Sequence, residues 1–230
     1  MLDRKLINDI IKYMNTTTKT VLGRPRAQEG LDRRERLLDC AFPLFASQGV
    51  AATTLAQVAR SAGVTPAMAH YYFSGREGLI DAFVEERIVP IMCHVWNALP
   101  LDKKPHEVLE TFVDCLLAAV EHAPMLPRLW SREVLNDGGC LRQKVMAHFP
   151  KERFAALCNA LAEAQQSGIV RKEVIPSLAF TAVMGVVMLP LAARDVFEGA
   201  TAVSLPDREA LRRHALAILL HGMLITEGET

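Results

Sequence analysis

The sequence predicts an all-α protein with an N-terminal three-helix helix-turn-helix domain and a C-terminal helical bundle. Three observations lead there. Apolar side chains recur at spacings of three and four after Asp32, glycine and proline punctuate the pattern at helix-length intervals, and no stretch alternates like a strand bounded by hairpin turns. With 230 residues, half of them apolar, the chain suits one small and one mid-sized domain. The expected division is a flexible basic arm over 1–30, a helix-turn-helix domain over 31–78 and a helical domain over 79–230.

In the arm, Leu2, Leu6, Ile10 and Met14 could line a short helix, and Met14 is an alternative start of translation. The charges among them leave no uninterrupted apolar core of a signal peptide. From Asp32 the first helix sets Leu38, Ala41, Phe42 and Phe45 on one side and Arg33, Arg34 and Arg36 away from it, until Gly49 supplies a stop. Thr54-Leu-Ala-Gln57 is a capping-box pattern that opens a short second helix ending near Ala62. After Gly63, Thr65-Pro66 restarts the chain as a third helix, with a capping hydroxyl and a proline at the first helical position. Ser74-Gly-Arg-Glu77 repeats the capping-box pattern and launches a longer helix toward Trp96. Further helices are expected near 104–122, 125–136, 138–148, 150–167, 177–198 and 207–226, with a kink at Pro190.

Charge is balanced overall, with 26 basic and 26 acidic side chains, but not along the chain. Residues 1–75 carry ten basic and six acidic groups, so the phosphate-compatible end is the N-terminal one. The five cysteines form no Cys-x-x-Cys pair, which speaks against a disulfide framework or a zinc ribbon and suits a reducing cytoplasm. Cys93, His94, His106, Cys115, His122, Cys140, His214 and His221 offer no tight ligand spacing, so no metal is expected. No G-x-S-x-G element, phosphate loop or dinucleotide fingerprint is present, so the chain reads as no enzyme and needs no cofactor. The longest apolar run, Leu178 to Ala193, is too short and too interrupted to span a membrane.

The second and third helices, separated by Ala62-Gly63-Val64, have the form of a helix-turn-helix. Leu55, Val58, Ala59 and Val64 can bury the inner faces while the third helix projects outward, as a major-groove reader requires. That helix presents Thr65, Pro66, Ala67, Met68, His70, Tyr71 and Tyr72, with no lysine or arginine. It predicts light base readout and a share from DNA shape. Gly23-Arg24-Pro25-Arg26 leaves two readings open, an arm that lays Arg24 and Arg26 into a minor groove or a solvated basic linker.

The stretch TTLAQVARSAGVTPAMAHYYFSGREGLIDAF resembles the DNA-binding signature of the TetR family of transcriptional regulators, over about Arg33 to Phe83. The resemblance implies that Thr54 and Gln57 lie near the DNA backbone and that Thr65, Pro66, Ala67 and Met68 face bases. It places His70, Tyr71, Tyr72 and Arg76 near phosphates or the groove edge. His70 stands where the family most often has tyrosine, Tyr71 where histidine is frequent, and Ala56 where a polar side chain is common. Arg76 replaces the usual lysine and keeps the charge.

The later helices bury too many apolar side chains to be spacers, so a pocket, a dimer interface or both are expected there. In the family this region binds an inducer and dimerises through its last two long helices, here about 177–198 and 207–226. Candidate pocket residues are Met92, His94, Trp96, Phe112, Cys115, Met125, Leu129, Trp130, Met184 and Met188. The segment LPRLWSREVLNDGG, Leu126 to Gly139, resembles a pattern in a TetR subgroup found near multidrug or membrane-fusion pump genes. The function expected is that of a homodimeric repressor, released from a pseudo-palindromic DNA operator by a small apolar or amphipathic inducer. The alternative is a helical small-molecule carrier or partner-binding protein whose helix-turn-helix no longer reads DNA. Activation instead of repression stays open.

Overall fold

A computed structural model describes residues 25–225, and the all-α expectation holds. In chain order the helices are α1 Pro25–Gln48, α2 Leu55–Ser61, α3 Pro66–Phe73, α4 Arg76–Phe83, α5 Val89–Ala98, α6 Pro105–His122, α7 Leu126–Leu129, α8 Arg142–Ala147, α9 Lys151–Gln166, α10 Ala179–Ala192, α11 Arg194–Thr201 and α12 Arg208–Met223. Wide π turns over Val84–Ile88 and Trp130–Leu135 extend α4 into α5 and prolong α7.

The described residues form two compact units. One contains those up to Met92 together with Leu129–Phe149; the other contains Cys93–Arg128 and those from Pro150 on. The division expected from the sequence, 31–78 and 79–230 after the arm, groups 129–149 with the C-terminal helices. Periodicity places residues on helices but says nothing of which distant helix a segment joins.

In the first unit α1 covers Pro25–Gln48, so the described residues 25–30, expected in the flexible arm, are helical. Arg26 therefore belongs to a helix, its side chain outside the described set; Arg24, the Leu2–Met14 face and the rest of the arm also lie outside the described residues. Leu38, Ala41 and Phe45 are buried as the spacing predicts, along with Leu37. The Phe83 ring meets Phe45 and Phe42 edge-on, with centroids 5.0 and 5.3 Å away. Arg34 departs from the outward arginine face. Its guanidinium pairs with both Glu86 oxygens, at 2.6 and 2.5 Å, and lies 5.0 Å over the Phe73 ring. The hydrogen bonds it donates to Glu86 hold its pKa above the ordinary value.

The second unit is organised around α6, which buries Val108, Leu109, Phe112, Val113 and Cys115; α10 and α12 pack on it and on each other. Asp114, 2% exposed, accepts a two-pronged contact from Arg212 of α12 at 2.6 and 3.0 Å. The helix expected over 177–198 is divided. Its bend comes at Ala193, three residues after Pro190 has removed an N–H from the last turn, and α11 leaves at 58° to the preceding helix. Among the described residues no single helix is long and apolar enough to cross a membrane.

Candidate nucleic-acid interface

The helix-turn-helix is built by local chemistry. Thr54 caps α2: its side chain accepts the Gln57 N–H at 3.2 Å while Gln57 Oε1 accepts the Thr54 N–H at 2.7 Å, the reciprocal pair that the sequence pattern announced. Gly63 turns the chain at φ +69, in the left-handed region that glycine enters without a Cβ penalty. Thr65 then caps α3 by accepting the Met68 N–H at 3.3 Å, with Pro66 in the first turn.

The second capping box expected, at Ser74, does not form. Ser74 closes α3 in the left-handed conformation, at φ 53, and donates its N–H to the His70 carbonyl; Gly75 is the residue before α4 and offers no side chain. The reason is room. A Cβ on Gly78 would stand 1.8 Å from the Phe73 carbonyl oxygen, so α4 starts hard against the end of α3 and the connection closes through the backbone.

Ala69 and Phe73 of α3 are buried against Leu55, Val58 and Ala59 of α2 and the core of the first unit. This fixes which residues face out. Thr65, Pro66, Ala67 and His70 are exposed, Met68 is half-buried, and Tyr71 is 84% exposed, its ring edge-on to half-buried Tyr72 at 5.5 Å. The exposed strip carries no lysine or arginine and is rich in methyl and aromatic groups, able to meet thymine methyls and sugar-phosphate edges but lacking a forked donor for guanine.

Thr54 and Gln57 sit together at the start of α2, Thr54 exposed, and Gln48 Nε2 reaches the same cluster through Thr53 Oγ1 at 3.1 Å. Arg76 is engaged with protein backbone. Its Nη2 donates to the Val50 carbonyl at 2.6 Å and its Nε to the Thr53 carbonyl at 3.1 Å, with Glu77 Oε1 3.2 Å from Nη1. Two cations that the sequence reading did not select lie exposed near the motif: Arg36 on α1, whose guanidinium sits beside Gly63, and Arg60 in the last turn of α2. The signal was present in the sequence as positive charges flanking the turn.

The structure divides the candidate pocket residues. Met92, Leu129 and Trp130 belong to the first unit; His94, Trp96, Phe112, Cys115, Met125, Met184 and Met188 belong to the second. There Trp96 stacks on Phe180 at 5.4 Å and meets Phe112 at 5.9 Å and Phe154 at 6.2 Å. Phe154 and Phe180 complete this aromatic cluster and were missed, because their isolated positions on α9 and α10 carry no pattern. Burial and the neighbouring Asp114 charge push the Cys115 thiol up to about 12.

A capped helix-turn-helix that turns an uncommitted helical face outward, followed by a bundle of longer helices, defines a helix-turn-helix regulator of the all-α kind. The family model for bacterial regulatory proteins of the tetR family matches residues 37–83. The transcriptional regulator BetI of Rhizobium meliloti is 31% identical over 98 residues, 43% of this chain and 48% of BetI, so the chain spans about half the length of that relative. TtgW of Pseudomonas putida, an HTH-type transcriptional regulator, is 30% identical over 95 residues, 41% of this chain and 71% of TtgW. Among solved structures, the ketosteroid transcriptional regulator KstR2 of Mycobacterium tuberculosis superposes with a TM-score of 0.64 at 18% identity, covering 84% of this chain and 96% of KstR2. SmeT, the repressor of a Stenotrophomonas maltophilia multidrug efflux pump, gives 0.56 at 22% identity, covering 86% and 92%. The chain belongs to the TetR family, a family of transcriptional regulators and not of enzymes.

Proposed function

We propose that this chain is a cytoplasmic, homodimeric repressor that binds a pseudo-palindromic DNA operator and is released by a small apolar or amphipathic ligand. The observation that carries the reading is the outer face of α3. Thr65, Pro66, Ala67, His70 and Tyr71 project from a scaffold whose two helices are both capped and whose inner faces are buried. In the proposed complex Thr65, Pro66, Ala67 and Met68 face base edges, His70, Tyr71 and Tyr72 meet the groove wall, and Arg36 and Arg60 neutralise phosphates. Thr54 and Gln57 lie at the backbone. Arg76 supports the turn.

Dimerisation is supported by the outward sides of α10 and α12. Ala182, Gly185 and Leu189 are exposed on the first, with exposed Leu178 just before it; His214, Ala217, Ile218 and Gly222 are exposed on the other. A strip of this kind, self-complementary about a two-fold axis, suits an isologous interface. The aromatic cluster of the second unit, Trp96 with Phe112, Phe154 and Phe180, supports an apolar or amphipathic ligand. Two reading heads must reach grooves ~34–36 Å apart, so a ligand that favours another spacing lowers affinity by shifting populations.

The test is selection of duplexes from a random pool by the purified chain, followed by anisotropy titration. The reading expects enrichment of a pseudo-palindrome bound at least ~1,000-fold more tightly than unrelated DNA. Weak, sequence-independent binding alone would overturn it in favour of a carrier.

A further inference from the structure

The segment Leu129–Phe149 holds all but the first three residues of the Leu126–Gly139 motif, whose role the helix-turn-helix leaves unexplained, and it belongs to the first unit. Two adjacent side chains grip the end of α1. Arg132 donates through Nη1 to the Ser47 carbonyl and through Nη2 to the Gln48 carbonyl, both at 3.0 Å, acceptors that a helix end leaves without an intrahelical partner. Glu133, 4% exposed, accepts the Val50 N–H at 2.9 Å on Oε1 and the Cys140 N–H at 3.0 Å on Oε2. Val50 opens the turn into α2, and its carbonyl is the group that Arg76 holds. This one residue of the reading head is thus fixed at both its N–H and its C=O.

The surroundings are shaped for that contact. A Cβ on Gly49, at φ +90, would come within 2.8 Å of Arg132 Nε, and one on Gly139 within 2.2 Å of the Glu133 carbonyl oxygen. At its far end the segment meets the helix that follows the recognition helix: Lys144 pairs with Asp81, and His148 Nε2 lies 2.9 Å from Glu85 Oε1. An apolar side chain at 133 would fill the same volume but leave two N–H groups unpaired, so the carboxylate is a specific solution.

We propose that Leu129–Phe149 is a clamp that sets the position of the reading helices, with Glu133 as its positioning residue. Glu133 touches no DNA; it fixes the end of α1 and the α1–α2 turn, while Lys144 and His148 fix α4 and the π turn after it. The clamp is joined by peptide bonds to Arg128 and Pro150 of the second unit, which gives a ligand-dependent change there a covalent route to the head besides the one through α5. Its affinity consequence rests on the DNA-reading function proposed above; its mechanical content does not.

The test compares wild type with E133Q, which keeps the size and one acceptor oxygen, and E133A, which keeps neither. Each is titrated with a fluorescent duplex selected by the wild-type chain, at several salt concentrations, and amide exchange is followed by mass spectrometry. Both variants should stay folded, with E133A binding ~10-fold or more weakly, E133Q between it and wild type, and the salt slope unchanged because no phosphate contact is lost. Exchange should quicken over Gly49–Thr53 and at Cys140 and stay constant in α6. Wild-type affinity in E133A, a shallower salt slope, or loss of fold in both variants would each overturn the positioning role. If the wild-type chain selects no duplex, the DNA-reading function fails separately, and unchanged exchange over Gly49–Thr53 in E133Q would still overturn the clamp.

Discussion

The Arg76 guanidinium donates to the Val50 carbonyl at 2.6 Å, spanning 26 positions of sequence to close the turn that leads into the helix-turn-helix. The family resemblance implies a phosphate contact for this residue, yet its donors are directed at backbone oxygens and Glu77. Arg76→Ala should therefore lower stability by ~1–2 kcal/mol, the range of a partly exposed charge-assisted hydrogen bond, and weaken operator binding without changing its salt dependence. Denaturant unfolding and anisotropy at several salt concentrations decide between the roles: a salt slope reduced by about one would restore the phosphate contact.

What the sequence made legible here was local. The Thr54–Gln57 box, the Thr65-Pro66 start and the Gly63 turn all formed as expected, because each needs only residues within one helical turn of one another. Ser74 shows the limit: its motif is right for a cap, but Gly78 brings α4 so close to the Phe73 carbonyl that a serine N-cap does not form. Arg34 and Glu133 lie beyond that limit. Their partners, Glu86 and Val50, are 52 and 83 positions away, and no periodicity in one chain records such a pairing.

Tyr71 and Phe73, two residues apart on α3, should separate binding from folding. Tyr71 is almost wholly exposed, so Tyr71→Ala should leave the thermal midpoint within about a degree while lowering operator affinity. Phe73 is buried beneath the Arg34 guanidinium, so Phe73→Ala should cost ~3–5 kcal/mol of stability. Calorimetry and titration of the two variants test the assignment of the outward face; unaltered affinity in the Tyr71 variant would remove that residue from it.

The Asp114–Arg212 pair predicts an asymmetric pair of single variants. Arg212→Ala leaves a carboxylate in the core of α6 and should cost ~3–5 kcal/mol. Asp114→Ala leaves a guanidinium that is 22% exposed and can turn toward water, so its cost should be smaller. Denaturant unfolding of both and of the double variant measures this. A double variant that loses the full sum of the two would show that the residues do not act as a pair.

The α10 face gives a prediction about assembly. Gly185 is exposed and nothing lies within 4 Å of where its Cβ would be, so Gly185→Arg fits the folded chain without a clash. It should nonetheless separate the dimer, by placing a charge in the proposed interface, and reduce operator affinity. Sedimentation velocity reads the first effect; a dimer that persists at low micromolar concentration would exclude α10 from the interface.

Cys115 sets an alkaline limit on stability. The ordinary thiol value is 9.0, and burial beside Asp114 raises it to about 12 in the folded chain. The folded thiol therefore keeps its proton where the unfolded chain has released its own. Its contribution is fully present below about pH 9 and falls by ~1.4 kcal/mol for each further pH unit, until the folded thiol itself ionises near 12. Cys115→Ala removes this thiol and leaves a small cavity, so it should be less stable than wild type near neutrality and lose less on going to about pH 10. Denaturant midpoints of the two proteins across that range provide the measurement, and parallel pH profiles would show that Cys115 does not titrate differently in the two states.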